Sequence, residues 1–392
     1  MAGRFVWGAA TSAHQVEGDN IHNDWWAWEA RGKVVDRSGQ ACDHYHRFAD
    51  DFALAAALGH TAHRLSLEWS RIELAPGQYQ AAALDHYREV LQDLKSRNMQ
   101  TFVTLHHFTN PLWFARQGGW EHPRAAPQFT QYVQAVVAAL GDLVDVWVTI
   151  NEPNVYTLKG YWEGVWPPGK RHDWRAVEQV THHLAAAHQM AYRIIHRTYP
   201  HAPVGIAHSV AAFLPARADS RLDQAVVRLH DWYYNHRFFR LTRGHHDFIG
   251  LNYYFAAGRK FSWRWPFFTQ TALPYPHTEP LHWSLYPPGL TQLLLEFKQY
   301  RLPIYITENG LPDAIDALRP EFIRAHVRAI EVAQRQGVDV RGYFHWSLLD
   351  NFEWAEGFSP RFGLIAVDFA TQARTIRPSA RVYQAIINQA QD

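Results

Sequence analysis

Short apolar runs recur along the chain at 5–7, 62–67, 101–105, 146–151, 204–207, 248–252, 304–307 and 342–346. They are rich in β-branched and aromatic residues and are closed by Gly, Pro or Asn, the pattern of strands buried on both faces. Between them, apolar positions spaced three and four apart predict amphipathic helices over 43–58, 83–97, 127–140, 174–198 and 320–336. Eight alternating units predict an α/β fold, a single (β/α)8 TIM barrel spanning residues 1–392 as one catalytic domain. A doubly wound open sheet would need a phosphate-cradling glycine loop after its first strand, and Gly8-Ala9-Ala10-Thr11-Ser12 is not one. There is no Walker loop and no solenoid repeat.

Barrel chemistry gathers at the C-terminal ends of strands, and seven of the eight ends here are polar or carry indole. His14, Gln15 and Glu17 follow the first strand, and Arg64, Glu68 and Trp69 belong to the second. His106, His107 and Phe108 end the third, and Asn151 and Glu152 the fourth. Asn252, Tyr253 and Tyr254 end the sixth, Glu308 the seventh, and Trp346 the eighth, with Glu353 and Trp354 just beyond. Any one of them reads equally well as a structural group. The two glutamates are different, because each ends an apolar run and is followed by a chain breaker, Pro153 or Asn309-Gly310. A buried carboxylate is costly unless it is paired or has chemistry to do.

Paired carboxylates suit glycoside hydrolysis, with about 5 Å between them for retention and about 6.5–9.5 Å for inversion. One must hold its proton while the other stays ionised. Arg64 is the candidate cation for the ionised one, since an opposite charge favours the charged form.

Composition narrows the alternatives. With 38 basic and 37 acidic residues the net charge is +1, which gives no basis for binding nucleic acid or an anionic membrane. A single cysteine, Cys42, allows no internal disulfide and permits a reducing compartment. No apolar run reaches membrane-spanning length, and residues 1–4 lead straight into the first strand without a signal region, so a soluble cytoplasmic protein is expected. The 25 histidines are scattered, and the adjacent pairs His106-His107, His182-His183 and His245-His246 point apart on any regular element. With no H-E-x-x-H and no G-x-S-x-G, neither a metal, a cofactor nor a serine triad is expected. The 17 tryptophans and 18 tyrosines serve packing first, and they also suit a sugar whose C–H face stacks on indole.

Taken together the motifs resemble glycoside hydrolase family 1, the β-glucosidase family, across nearly the whole chain. The resemblance rests on residues 5–18, 64–72, 104–108, 149–153, 250–254, 306–310, 346–354 and 361–364, all in the family's order. It implies a retaining double displacement with Glu152 as acid/base and Glu308 as nucleophile. It further implies that Asn151 binds the sugar 2-hydroxyl and that Arg64 and Tyr254 hold the nucleophile. Gln15, His107, Glu353 and Trp354 would surround the hydroxyls of the non-reducing sugar, with Trp346 as the platform beneath it. The expected partners are β-linked glucosides or short oligosaccharides, with galactose and fucose hard to separate from glucose. A carboxylate at Glu353 is expected to repel a 6-phosphate.

Three other outcomes remain open at this level: a transglycosylase using the same intermediate, an inverting hydrolase, and a sugar-binding pseudoenzyme. His14 and Phe108 depart from the commoner aromatic residues of the pattern, the first read as a mild packing change. The chain also lacks an extra segment that most members carry between 244 and 247, so an open aglycone side with relaxed preference is expected. Trp166 is expected either to line that mouth or to pack on the barrel rim.

Overall fold

The computed structural model describes residues 5–264 and 266–390, so the expected lead-in at residues 1–4 lies outside the described residues. Its eight central strands are β1 (Val6–Ala10), β2 (Ala62–Ser66), β3 (Gln100–His106), β4 (Val146–Asn151), β5 (Val204–Pro215), β6 (Ile249–Phe261), β7 (Ile304–Asn309) and β8 (Val340–Trp346). Each pairs in parallel with the next, and β8 returns to β1 through Ala10 and Trp346, which closes the barrel. The five expected helices are present at His44–Ala57, Ala81–Ser96, Ala125–Leu140, Trp174–Thr198 and Arg319–Arg335.

Strand alternation sorts the apolar side chains into two cores. Val6, Phe102, Val148, Phe248 and Phe344 fill the barrel interior, where the Phe102 ring centroid lies 4.6 Å from Phe344 and 5.3 Å from Tyr305. Trp147, Leu184, Leu294, Ile330 and Tyr383 belong to the larger core between barrel and helices.

Two features go beyond the sequence pattern. β5 and β6 run on past the expected 204–207 and 248–252, pairing as far as Pro215 and Arg259. The strand Phe268–Thr271 then adds antiparallel to β6. Of the polar residues that interrupt the apolar run, Ser209 borders a cavity, while His208 is fully buried against Phe238 and Phe239. The helices Arg221–Asp231, Pro287–Phe297 and Pro378–Gln389 complete the outer layer.

The register is irregular at the two glutamates. Two residues of β7 oppose one of β6 between Ile306 and Glu308, and β4 slips against β5 between Val148 and Asn151. Such bulges re-aim a side chain at a barrel rim. Gly310 is obligatory there, because a Cβ would lie 1.8 Å from the Trp346 carbonyl oxygen.

Candidate active site

The polar strand ends converge on one hydrogen-bonded chain. Arg64 is 1% exposed; it donates from Nη2 to Asn151 Oδ1 at 2.7 Å and from Nε to Thr104 Oγ1 at 3.2 Å. Its Nη1 donates to Glu308 Oε1, and the Tyr254 hydroxyl donates to Glu308 Oε2 at 2.5 Å. The negative charge of Glu308 is therefore met by a guanidinium on one oxygen and a phenol on the other. Burial and the charge of Glu308 push the Tyr254 phenol well above its usual range, which keeps it a donor.

Glu152 has a different environment. Asn252 Nδ2 donates to Glu152 Oε1 at 2.9 Å and to Asn151 Oδ1 at 3.1 Å, while its own Oδ1 accepts from Thr307 Oγ1 at 2.7 Å. Among the described residues, no cation is ion-paired with Glu152. Burial first, then the charge of Glu308, pushes its carboxyl up to about 8, against smaller lowering from Asn252 and Arg64. Its backbone is left-handed, φ 43°, ahead of Pro153, which opens a short helix at Pro153–Thr157. That is an unfavourable conformation for glutamate, of the kind found at functional sites.

Around these two carboxylates lies an aromatic and polar collar. The His107 ring lies parallel to Trp346 at 5.9 Å and to Trp354 at 6.1 Å, and its Nε2 is 3.2 Å from Asn151 Nδ2. Burial and Arg64 keep His107 neutral, far below the usual histidine range. Gln15 Nε2 donates to Glu353 Oε2 at 3.2 Å and to Asn351 Oδ1 at 3.1 Å. Gln15, His107, Asn151, Glu152, Tyr254, Glu308, Trp346, Glu353 and Trp354 all line a cavity of 1980 Å³, and Arg64 lies under it. One protonatable acid, one charge-compensated carboxylate and a stacking platform suit acid-assisted displacement at a sugar carbon.

A family model described as glycosyl hydrolase family 1 matches residues 1–241 and 235–392. The chain belongs to glycosyl hydrolase family 1. It is a glycoside hydrolase. It is 32% identical to beta-glucosidase A of Thermotoga maritima, over 98% of this chain and 96% of the relative. It superimposes with a TM-score of 0.93 on a beta-glycosidase from Pyrococcus horikoshii, at 38% identity, covering 98% of this chain and 94% of that one. A beta-glucosidase from T. maritima in complex with glucoimidazole matches with a TM-score of 0.91 at 30% identity, covering 98% of both chains.

Several strand-end groups of this family 1 chain serve structure rather than the cavity. Glu17 is ion-paired with Arg71 at 2.8 Å and accepts from the Tyr87 hydroxyl at 2.8 Å. Glu68 accepts from Ser70 and Thr109, and His106 contacts Asn110 and Trp120. His14 does more than pack: its Nε2 is 2.9 Å from Glu29, and its ring stacks on Trp354 at 5.7 Å. Trp166 combines both expectations, lining the cavity while packing on Phe108 at 4.8 Å and Trp25 at 5.5 Å.

Asn252 was a strand-end residue with no role assigned from sequence. Its position directly across from Glu308 in the β6–β7 register is what gives it one. Glu353 also differs from expectation, since burial and then Glu308 push it up to about 8. Among the described residues, the His/carboxylate set close enough to share an ion is Asp231, His236 and Glu296, and none of the three lines this cavity. No helix among the described residues is long and apolar enough to cross a membrane.

Proposed function

We propose that the chain hydrolyses terminal non-reducing β-D-glucosyl residues with retention, accepting β-D-galactosyl and β-D-fucosyl residues in the same pocket. The observation that carries this reading is the contrast between the two buried glutamates: Glu308 ion-paired to Arg64, and Glu152 raised by burial beside it. A retaining glycosidase needs this division of roles. The relative bound to glucoimidazole supports a glucose-sized ligand in the equivalent pocket.

In the first step Glu308 attacks the anomeric carbon, the glycosidic C–O bond breaks, and Glu152 gives its proton to the departing oxygen. In the second, Glu152 takes a proton from water, the water oxygen bonds the anomeric carbon, and Glu308 leaves with its electron pair. Arg64 and Tyr254 orient the nucleophile, and Asn151 binds the 2-hydroxyl, where contacts strengthen toward the oxocarbenium-like transition state. Trp346 carries the sugar ring, while Gln15, His107, Glu353 and Trp354 bind its remaining hydroxyls. Residues 1–392 act as a single catalytic domain in the cytoplasm.

Initial rates on aryl β-D-glycosides, with the first-formed anomer observed by NMR, test this reading. Retention is expected, along with rescue of Glu308→Gly by azide to a glycosyl azide of inverted configuration. An α-anomer as first product overturns retention. Wild-type rates in Glu308→Ala overturn the assignment of the nucleophile.

A further inference from the structure

Away from the cavity, one buried histidine stands at the wrong distance from its acids. Elsewhere in the chain a buried histidine closes on a carboxylate at hydrogen-bond length, 2.9 Å for His14–Glu29 and 2.8 Å for His44–Asp51. The His236 side chain is 7% exposed, and its Nε2 faces two carboxylates, Asp231 Oδ2 at 3.5 Å and Glu296 Oε2 at 3.9 Å. Both gaps exceed hydrogen-bond length. A protonated Nε2 would be drawn in as the other two histidines are.

The three groups meet through an irregular helix. Asp231 closes the helix Arg221–Asp231, and His236 ends the segment Trp232–His236, whose turn is the wider π form. Residues five apart point about 140° away from each other on an α-helix. The wider turn swings the pair to one side, an irregularity often found at functional sites. Glu296 arrives from the helix Pro287–Phe297. The sequence shows no metal-binding interval here, because five is not an α-helical spacing.

The donors are also held in place. His236 Nδ1 is 2.9 Å from the Tyr300 hydroxyl, and the ring stacks on Phe297 at 4.7 Å. With Nδ1–H donating to that hydroxyl, Nε2 turns its lone pair to the two acids. Asn235 Nδ2 donates to Asp231 Oδ1 at 2.8 Å, and Asn235 Oδ1 accepts from the Ala211 N–H at 3.0 Å, which leaves Asp231 Oδ2 for Nε2. Among the described residues no arginine or lysine is ion-paired with either acid. Burial, and against Asn235 the charge of Glu296, raises the Asp231 carboxyl, so the two acids repel without a cation between them.

We propose that Asp231, His236 and Glu296 bind a divalent cation of the zinc class, with water as the fourth ligand, and that the ion clips the helix Arg221–Asp231 to the helix Pro287–Phe297. Donors bound to such an ion at about 2.0–2.2 Å lie about 3.3–3.6 Å apart in a tetrahedron. The Nε2–Oδ2 gap has that width, all three donor atoms lie within 4.8 Å of one another, and Glu296, with its side chain 48% exposed, has room to close in. An imidazole in the set selects Zn²⁺ or Co²⁺ over Mg²⁺ and Ca²⁺, which prefer oxygen alone. None of the three residues lines the cavity, so the ion serves stability and not the reaction.

The test uses the full chain, stripped with a chelator and titrated with ZnCl2 by calorimetry. One tight ion per chain is expected, with a Kd on the order of micromolar or below. Tm should rise by about 3 °C when free Zn²⁺ stands about a hundredfold above Kd. Glu296→Gln and Asp231→Asn should each weaken binding by about tenfold or more. Glu279→Gln, beside the exposed His282, should leave it unchanged. Co²⁺ in place of Zn²⁺ should give visible absorption of tetrahedral strength, lost in the double variant Asp231→Asn/Glu296→Gln. Absence of binding, or binding that the single variants leave at wild-type strength, overturns the proposal. Equal affinity for Ca²⁺ overturns the class of ion.

Discussion

The floor of the cavity and its mouth are built on opposite principles. On the floor, Arg64, Asn151, Asn252, Tyr254 and Glu308 come from four strands and are nearly inaccessible, and each donates to or accepts from another member of the set. At the mouth, the helix Arg221–Asp231 and the overhang of β5 and β6 present apolar surface that is half-exposed. Buried charge needs several partners at fixed distances, so its elements must be rigid and its residues specific. Apolar surface makes no directional demand, so a mouth can be reshaped without disturbing the floor. The charged floor and the apolar mouth are accordingly separate parts of the molecule.

The sharpest way to break this division is at the nucleophile. Glu308→Gln keeps shape and burial, and we expect kcat on an aryl β-glucoside to fall about 10⁴-fold or more. Residual activity above one hundredth of wild type would mean that the floor does not depend on this carboxylate. Arg64→Leu leaves Glu308 buried without its cation. The expected loss is about 3–5 kcal/mol of stability, read as a shift in urea midpoint; an unchanged midpoint would show that the pair is not holding the floor together.

Asn252→Ala should lower kcat/KM about 100-fold, the scale of one lost preorganised donor. It also has a signature in pH. Activity is expected to fall on the alkaline side as the Glu152 carboxyl, raised to about 8, loses its proton, and Asn252 lowers that carboxyl by donating to its charged form. Without Asn252 the alkaline limb should move to higher pH; a move to lower pH contradicts the assignment.

Glu152→Gln tests stability in the same window. A carboxyl raised in the folded state contributes stability below its ordinary range, which is lost as pH rises through the interval up to about 8. The variant should therefore gain Tm over wild type at pH 8 but not at pH 4, by about 2–4 °C per kcal/mol. At the mouth the effect should be smallest: Leu229→Gln is expected to change stability by less than about 0.5 kcal/mol. A larger loss in thermal melts would show that this surface is core after all.

Much of this division was legible in the chain itself. The eight apolar runs became the eight barrel strands because each is buried on both faces and has no competing helical period. Glu152 and Glu308 stood out because a carboxylate at the end of such a run has few harmless explanations. The lengths of β5 and β6 were not legible, since how far they run is set by their pairing with each other and with Phe268–Thr271, which no local pattern signals. The role of His14 was hidden too, because its partner Glu29 lies on another helix.

Local chemistry in the sequence determined the barrel, its order and the acids at its rim, since strand period, breakers and buried charge are properties of a few adjacent residues. Register and burial, which only the tertiary structure decides, give the two acids their different surroundings. Bulges in β4 and β7 turn both glutamates into one cavity, where Arg64 reaches Glu308 and leaves Glu152 to Asn252. The same assembly leaves the Val226, Leu229 and Tyr233 stripe facing a cleft instead of a core, because no element of the described fold packs over it.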